Sequence, residues 1–169
     1  GQFHYASPDV FVSKLDVNGN IQWSKSYGGW NSDEGKIVQP ISNGYIVFGS
    51  TNSYGSFGNC GGGLTCSDMY LLKLDTAGDT IWTRTYGSTD MDICNAGIQT
   101  SDMGYLLVGR RQILYGSTFM EVIKTDSIGN IIWTKIMPFA ADGTGVIETD
   151  NSNYVIISND TNNNSKLVK

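Results

Sequence analysis

One histidine, three cysteines and three prolines are all that these 169 residues hold of those types, and only 16% of the chain is charged. With His4 alone, and in the N-terminal segment, a His-based catalytic triad or metal cluster has no material to build from. No run of about 18 apolar residues occurs, which argues against a transmembrane helix. No segment carries a helical period of useful length either. Basic residues number 11 against 16 acidic ones, for a net charge of −5 and a pI near 4.6. Neither nucleic acid nor an anionic membrane rewards an acidic partner, so both are set aside. The N-terminus, GQFHYASPDV, has no basic-then-apolar leader, and the expectation is that any signal peptide has been removed.

The cysteine count is odd. Cys60 and Cys66 bracket a Gly61-Gly62-Gly63-Leu64-Thr65 loop flexible enough to close a disulfide without strain, with two reduced thiols as the alternative. Two sulfurs with no His nearby make a poor zinc site, and no metal is expected. Cys94 lies between apolar neighbours and reads as a buried thiol. The glycine run is no phosphate loop, since no Lys-Ser/Thr follows and no helix begins there.

What the chain does have is glycine (21), tyrosine (nine), tryptophan (four) and a frame that recurs. Asp-x-x-Gly-x-x-x-Trp occurs as Asp16, Gly19, Trp23, then Asp75, Gly78, Trp82, then Asp126, Gly129, Trp133. A Lys stands two residues before each Asp (Lys14, Lys73, Lys124). The tryptophans are 59 and then 51 residues apart. A frame this detailed marks a repeat array of supersecondary units. Each unit reads as four strands. In the first they are Val10 to Leu15, Ile21 to Tyr27 (with Ile21, Trp23 and Tyr27 on one face), Lys36 to Ile41, and the apolar run Tyr45 to Gly49. Asp16 to Asn20 makes a tight turn in which Asp bonds the backbone two residues on and Gly supplies a positive φ. A continuous apolar run such as YIVFG or YLLVG marks a strand covered on both faces. Further strands are expected from Ile93, Met120 and Thr144, with Ser165 to Lys169 opening a fourth unit. The copies run approximately 9–67, 68–118, 119–164 and 165–169 in a single domain. The fold class is all-β: a propeller-type array of about three four-stranded antiparallel blades, as an incomplete ring or part of a longer array.

Candidate sites are few. Asp33, Asp92 and Asp142 recur ahead of one strand of each unit; they form either a ring of carboxylates for a cation or sugar, or a set of turn caps. The Asp-x-x-Gly turns faintly echo a calcium loop, but the distal Glu is missing and turn chemistry is preferred. The three frame tryptophans read as packing between units. Trp30, Tyr54, Phe57 and Tyr115 fall in loops, where aromatic rings stack on glycans or anchor a partner. No acid and base are fixed at a glycosidase separation.

Stretches such as SPDVFVSKLDVNGNIQWSKSYGG and NGYIVFGSTNSYG resemble the bacterial seven-bladed beta-propeller repeat family, found in secreted and surface proteins of Bacteroidetes-type bacteria. The likeness covers nearly the whole chain and weakens in the third copy. It implies blades of about Asp33 to Tyr86 and Asp92 to Met137, two outer strands at the N-terminal end, and two inner strands plus a third at the C-terminal end. It implies a fold and a location more than a function. The expectation is a non-enzymatic module at the cell surface or outside it, without cofactor, acting as scaffold, adhesin or assembly component. Its partners would be other protein chains, by self-association or in a larger surface assembly. The alternative is a carbohydrate-binding or glycoside-acting propeller using the loop carboxylates and aromatics. Kinship with pyrroloquinoline quinone dehydrogenases is weaker, because no cofactor-binding cluster is identifiable. The same resemblance brings O-glycosylation at Asp-Ser/Thr-apolar, matched at Thr76, Thr80 and Ser127. Peptide mass mapping of native material is expected to find sugar-sized additions on Thr76 and Ser127, and unmodified peptides would remove the expectation.

Overall fold

The computed structural model describes residues 7–55, 66–113, 116–138, 142–159 and 165–168, the last four as backbone. Cys60, Phe57, Tyr115 and His4 lie outside the described residues. The described chain is all-β: β1 (Val10–Leu15), β2 (Ile21–Tyr27), β3 (Asp33–Ile41), β4 (Gly44–Thr51), β5 (Asp68–Leu74), β6 (Thr80–Tyr86), β7 (Met91–Gln99), β8 (Tyr105–Gln112), β9 (Thr118–Thr125), β10 (Ile131–Met137), β11 (Asp142–Glu148), β12 (Tyr154–Asn159) and β13 (Ser165–Val168). All pairing is antiparallel and between chain neighbours. It yields sheet I (β1–β2), sheet II (β3–β6), sheet III (β7–β10) and sheet IV (β11–β13). Sheets II and III have the strand content that the resemblance implied for its first two blades. The four sheets do not join into a closed sheet among the described residues.

The repeated turn forms the same way three times. Asp16 Oδ1 accepts the N–H groups of Asn18 and Asn20 at 2.8 and 2.9 Å. Asp75 does the same for Ala77 and Asp79, and Asp126 for Ile128 and Asn130. Gly19, Gly78 and Gly129 sit at φ 83°, 79° and 85°, where an L side chain is strained. Each turn feeds a bulge. Lys14 pairs with Trp23 but Leu15 pairs with Ile21, so one residue is inserted; the same slip precedes Trp82 and Trp133. The bulge corrects the expected face of Ile21. The inserted residue reverses the alternation, and Ile21 points away from Trp23 into solvent. The frame's Lys is explained by the same hairpin, since Lys14, Lys73 and Lys124 are the cross-strand partners of the three tryptophans. Strands β3, β7 and β11 begin two or three residues before their expected starts. Asp and Gly weaken a strand read from propensity, yet here they pair with Thr51, Arg111 and Asn159.

The sheets stack face to face. Ile46, Phe48, Met69 and Leu71 of sheet II meet Cys94, Tyr105, Leu107 and Ile123 of sheet III. Leu106, Val108, Met120 and Val122 leave the other face of sheet III toward Val146, Tyr154 and Ile156 of sheet IV. Val47, Tyr70, Leu72 and Leu74 leave the other face of sheet II toward Val10, Val12 and Tyr27 of sheet I. The apolar runs in β4 and β8 are thus covered on both sides, alternate residues serving alternate neighbours.

Each joint repeats one grip. Trp23 lies edge-on to Tyr45 of the next sheet with centroids 5.9 Å apart and Trp82 to Tyr105 at 5.9 Å, while Trp133 is tilted against Tyr154 at 6.3 Å. The Tyr27 hydroxyl donates to the Gly78 carbonyl at 2.6 Å and Tyr86 to Gly129 at 2.8 Å. Trp23 Nε1 donates to the Thr76 carbonyl, and its ring covers Gly78 so closely that a Cβ there would meet it at 3.0 Å. The corresponding turn at Gly19 has nothing against it.

Close approach also explains Gly97, whose added Cβ would stand 2.1 Å from Phe48 Cδ1 across the joint between sheets II and III. Gly145, in sheet IV, has its nearest atom at 3.8 Å. Gly97→Ala is therefore expected to cost about 1–3 kcal/mol by overpacking, and Gly145→Ala less than about 0.5 kcal/mol, measured by urea denaturation. Equal losses would show that the joint does not resist expansion.

Candidate functional site

A carboxylate stands at or next to the start of β3, β7 and β11, and each is committed differently. Asp33 is buried. Its N–H donates to the Pro8 carbonyl at 2.8 Å. Its carboxylate accepts the Gly29 N–H at 2.9 Å, the Ser53 hydroxyl at 2.6 Å and the Thr51 hydroxyl. It ties loop 28–32 to loop 52–55, as a turn-capping aspartate does. Asp142 reaches sideways instead: Asn95 Nδ2 donates to it at 2.6 Å, and Arg110 lies 3.5 Å away. It joins sheet IV to sheet III.

Asp92 is the unusual one. It is fully buried, its N–H donates to the Ser67 carbonyl, and its Oδ2 accepts the Ser88 N–H at 2.7 Å. Beside it on β9 stands Glu121, 5% exposed. Neither Asp92 Oδ1 nor Glu121 Oε2 has a hydroxyl or amide donor. The two carboxyls lie close enough that the Asp92 charge disfavours ionisation of Glu121. Burial pushes Glu121 up to about 7, helped by the neighbouring Asp92 charge and opposed by Arg111. Burial also raises Asp92, against the pull of the Ser88 N–H and Arg111. Arg111 is shared: its Nη2 is 2.8 Å from Asp90 Oδ2, and its Nε is 3.9 Å from Asp92 Oδ1. From sheet II, the buried Asp68 closes on the same spot. A Cβ on Gly87 would stand 2.1 Å from Asp68 Oδ1 and 3.0 Å from Asp92 Oδ2. Nothing in the repeat frame flags Glu121. The available signal was an acid in the middle of the apolar strand MEVIKT, at the place of Tyr70 in β5.

The loop aromatics divide. The Tyr54 hydroxyl donates to the Gly28 carbonyl at 2.6 Å, and its ring stacks on Tyr70 at 6.2 Å. Trp30 leaves 86% of its surface in solvent. The frame residues Asp16, Asp75 and Asp126 are spent on turns, and Trp23, Trp82 and Trp133 on joints. Thr76, Thr80 and Ser127 are exposed. Cys66 stands in a disulfide, while Cys94 is a free thiol that burial pushes up to about 12. No group of three or more His, Cys, Asp or Glu among the described residues is arranged to hold a metal ion. No described helix is long and apolar enough to cross a membrane.

No model of a known protein family matches this chain, and no curated protein matches it.

The acid pair has a pH signature. Glu121 binds its proton more tightly folded than unfolded, so its contribution is full below the ordinary value of 4.5 and is lost as pH rises through about 7. The loss is on the order of 2–3 kcal/mol. Glu121→Gln keeps the donor without the titration. The variant is expected to remove a fall in melting temperature of about 4–10 °C between pH 5 and pH 8 that the natural chain shows. Parallel pH profiles for the two proteins would contradict the raised pKa of Glu121.

Proposed function

We propose that this chain is a non-enzymatic, extracellular or cell-surface module of β-propeller type that joins other protein chains through the two ends of its sheet stack. One observation carries the reading. The outward faces of the end sheets expose apolar residues whose counterparts inside the stack are buried. Ile157, 50% exposed, occupies in β12 the register place of Phe48 in β4, which is fully buried. Ile147 is exposed on the same outward face. At the other end Phe11 and Leu15 are exposed, where their counterparts Tyr70 and Leu74 are buried. Val38 is uncovered beside them. Contiguous apolar surface of this kind marks an association site.

Other features agree with the location. A disulfide at Cys66 suits an oxidising compartment, and the exposed hydroxyls of Thr76 and Ser127 are open to modification. The carboxylates at the loop ends support structure: Asp33, Asp92 and Asp142 are all held by donors of the chain itself. A glycan-binding reading would rest on Trp30, since Tyr54 is tied down.

Sedimentation of the natural chain is expected to give a defined mass above 18.4 kDa. Ile157→Glu, which puts a charge into the end face, is expected to weaken association at least about tenfold. A chain that stays at the single-copy mass at about 100 μM would sink the reading, since binding weaker than that contributes less than about 6 kcal/mol.

A further inference from the structure

The tryptophan strands β2, β6 and β10 each form one edge of a sheet, with no further strand paired outside them among the described residues. Their sequences differ around the tryptophan. Strand β2 carries Gln22, Ser24 and Ser26, β6 carries Ile81, Thr83 and Thr85, and β10 carries Ile132, Thr134 and Ile136. Ile131 and, in the turn before it, Ile128 add to the edge at β10. These four isoleucines are 44–57% exposed. Sheet IV follows β10 in the chain and stacks on sheet III instead of extending it, so topology leaves this edge open. An uncovered apolar edge is a template for a further strand.

We propose that β10 of one copy pairs antiparallel with β10 of a second copy, about a two-fold axis at Thr134, so that sheet III of each copy continues into the other. The partner is a second copy because the strand is complementary to itself. With Thr134 opposite its own counterpart, Ile132 falls beside Ile136 and Trp133 falls opposite Lys135, and both pairs occur twice.

Both kinds of contact are favourable across a ladder. Apolar side chains opposite one another are the unit that stabilises paired strands. A lysine opposite a tryptophan is a contact the chain already makes, since Lys73 pairs with Trp82 and its Nζ lies 5.6 Å from the ring centroid. No acid lies on β10, and the register sets its one lysine against an indole and not against a second lysine. The other two edges lack this match. In the same register β6 would set Ile81 against Thr85, and its Trp82 ring already has Arg84 over it at 5.4 Å. Strand β2 would set Gln22 against Ser26.

The edge is also accessible. Thr134 pairs with Ile123, which packs in the joint with sheet II, so Thr134 and Ile136 are on the side of sheet II. Ile136 nevertheless leaves 44% of its surface in solvent, so β10 stands clear of β6. The bulge at Ile131–Trp133 bends one end of the strand, and the regular ladder from Trp133 to Met137 carries the pairing. The contact is isologous, and it uses neither of the stack ends.

The test is a crosslink at the two-fold axis. Opposite residues of an antiparallel pair have Cα atoms about 4.5–5.5 Å apart, within the span of a disulfide. Thr134→Cys is expected to oxidise to a covalent dimer at least about tenfold faster than Thr83→Cys, which puts the thiol at the equivalent exposed place in β6. Of the chain's own cysteines, Cys94 is buried and Cys66 is bonded. Circular dichroism checks that each variant folds. Equal rates would mark random collision and overturn the pairing. Ile136→Thr, which gives β10 the residue that β6 has there, is expected to slow the Thr134→Cys crosslink to the Thr83→Cys rate, and an unchanged rate would contradict the apolar pair. Lys135→Cys, set opposite Trp133, is expected to stay slow, and a fast crosslink there would contradict the register. In the Ile157→Glu background the Thr134→Cys crosslink is expected to persist, and its loss would assign the contact to the end faces instead. Sedimentation showing association of the natural chain, without the Thr134→Cys crosslink, overturns the strand pair and leaves the end-face reading standing.

Discussion

A tyrosine hydroxyl reaching from one sheet to the glycine carbonyl in the turn of the next is the contact on which the stack depends. Tyr27 reaches Gly78 and Tyr86 reaches Gly129, each beside a tryptophan packed over the neighbouring sheet. The grip works because the turn presents a bare backbone. Glycine leaves no Cβ under the indole of Trp23, and the aspartate ahead of it accepts two N–H groups of the turn. Turn, bulge and grip are one device. The bulge rotates the alternation so that the tryptophan faces inward while the residue after the turn faces out. Where Met137 replaces the tyrosine in β10, that hydroxyl bond has no donor, and the last joint relies on Trp133 against Tyr154 and on Asn95 reaching Asp142.

Polar groups in this protein mostly secure backbone. Asp33 knits two loops, the frame aspartates close turns, and Asp102 holds the buried Lys124 at 2.8 Å, which lowers the aspartate to about 2. Against that background the Asp92–Glu121 pair stands apart, because two acids meet in a buried place, with Asp68 closing from sheet II and a partly engaged Arg111 beside them. Burying a carboxylate is costly, and protonation of Glu121 relieves one of the two charges. The raised pKa of Glu121 makes its contribution to the folded chain largest at acidic pH.

A stack of like units has interior joints and two ends, and the ends expose what the interior buries. Stability in such arrays is nearly a sum over units and nearest-neighbour joints, so an uncovered end forfeits one joint. The contrast between Phe48 and Ile157, and between the covered turn at Gly78 and the bare turn at Gly19, is the contrast between a made joint and an open one.

The fold was legible in the residues to an unusual degree, because its signals are local. A positive-φ glycine after an aspartate declares a turn, an alternating or continuous apolar run declares a strand and how many of its faces are covered, and recurrence of the frame declares the unit. These follow from sterics and from burial of side chains a few residues apart. The strand bulges were not legible, since an inserted residue shows only as a slip against a partner strand; Ile21 was assigned the wrong face for that reason. Of the candidate site, Asp33, Asp92 and Asp142 could be located but not distinguished. Whether a carboxylate caps its own loop, bridges to a neighbouring sheet or meets a second acid depends on atoms some 18 to 47 residues away in the chain. Glu121 acquires its shifted acidity only when β9 brings it to β7, a long-range contact that no local pattern encodes. Tertiary structure alone decided which surfaces the stack covers and which it leaves open, because burial of a sheet face is a property of the neighbour that packs on it.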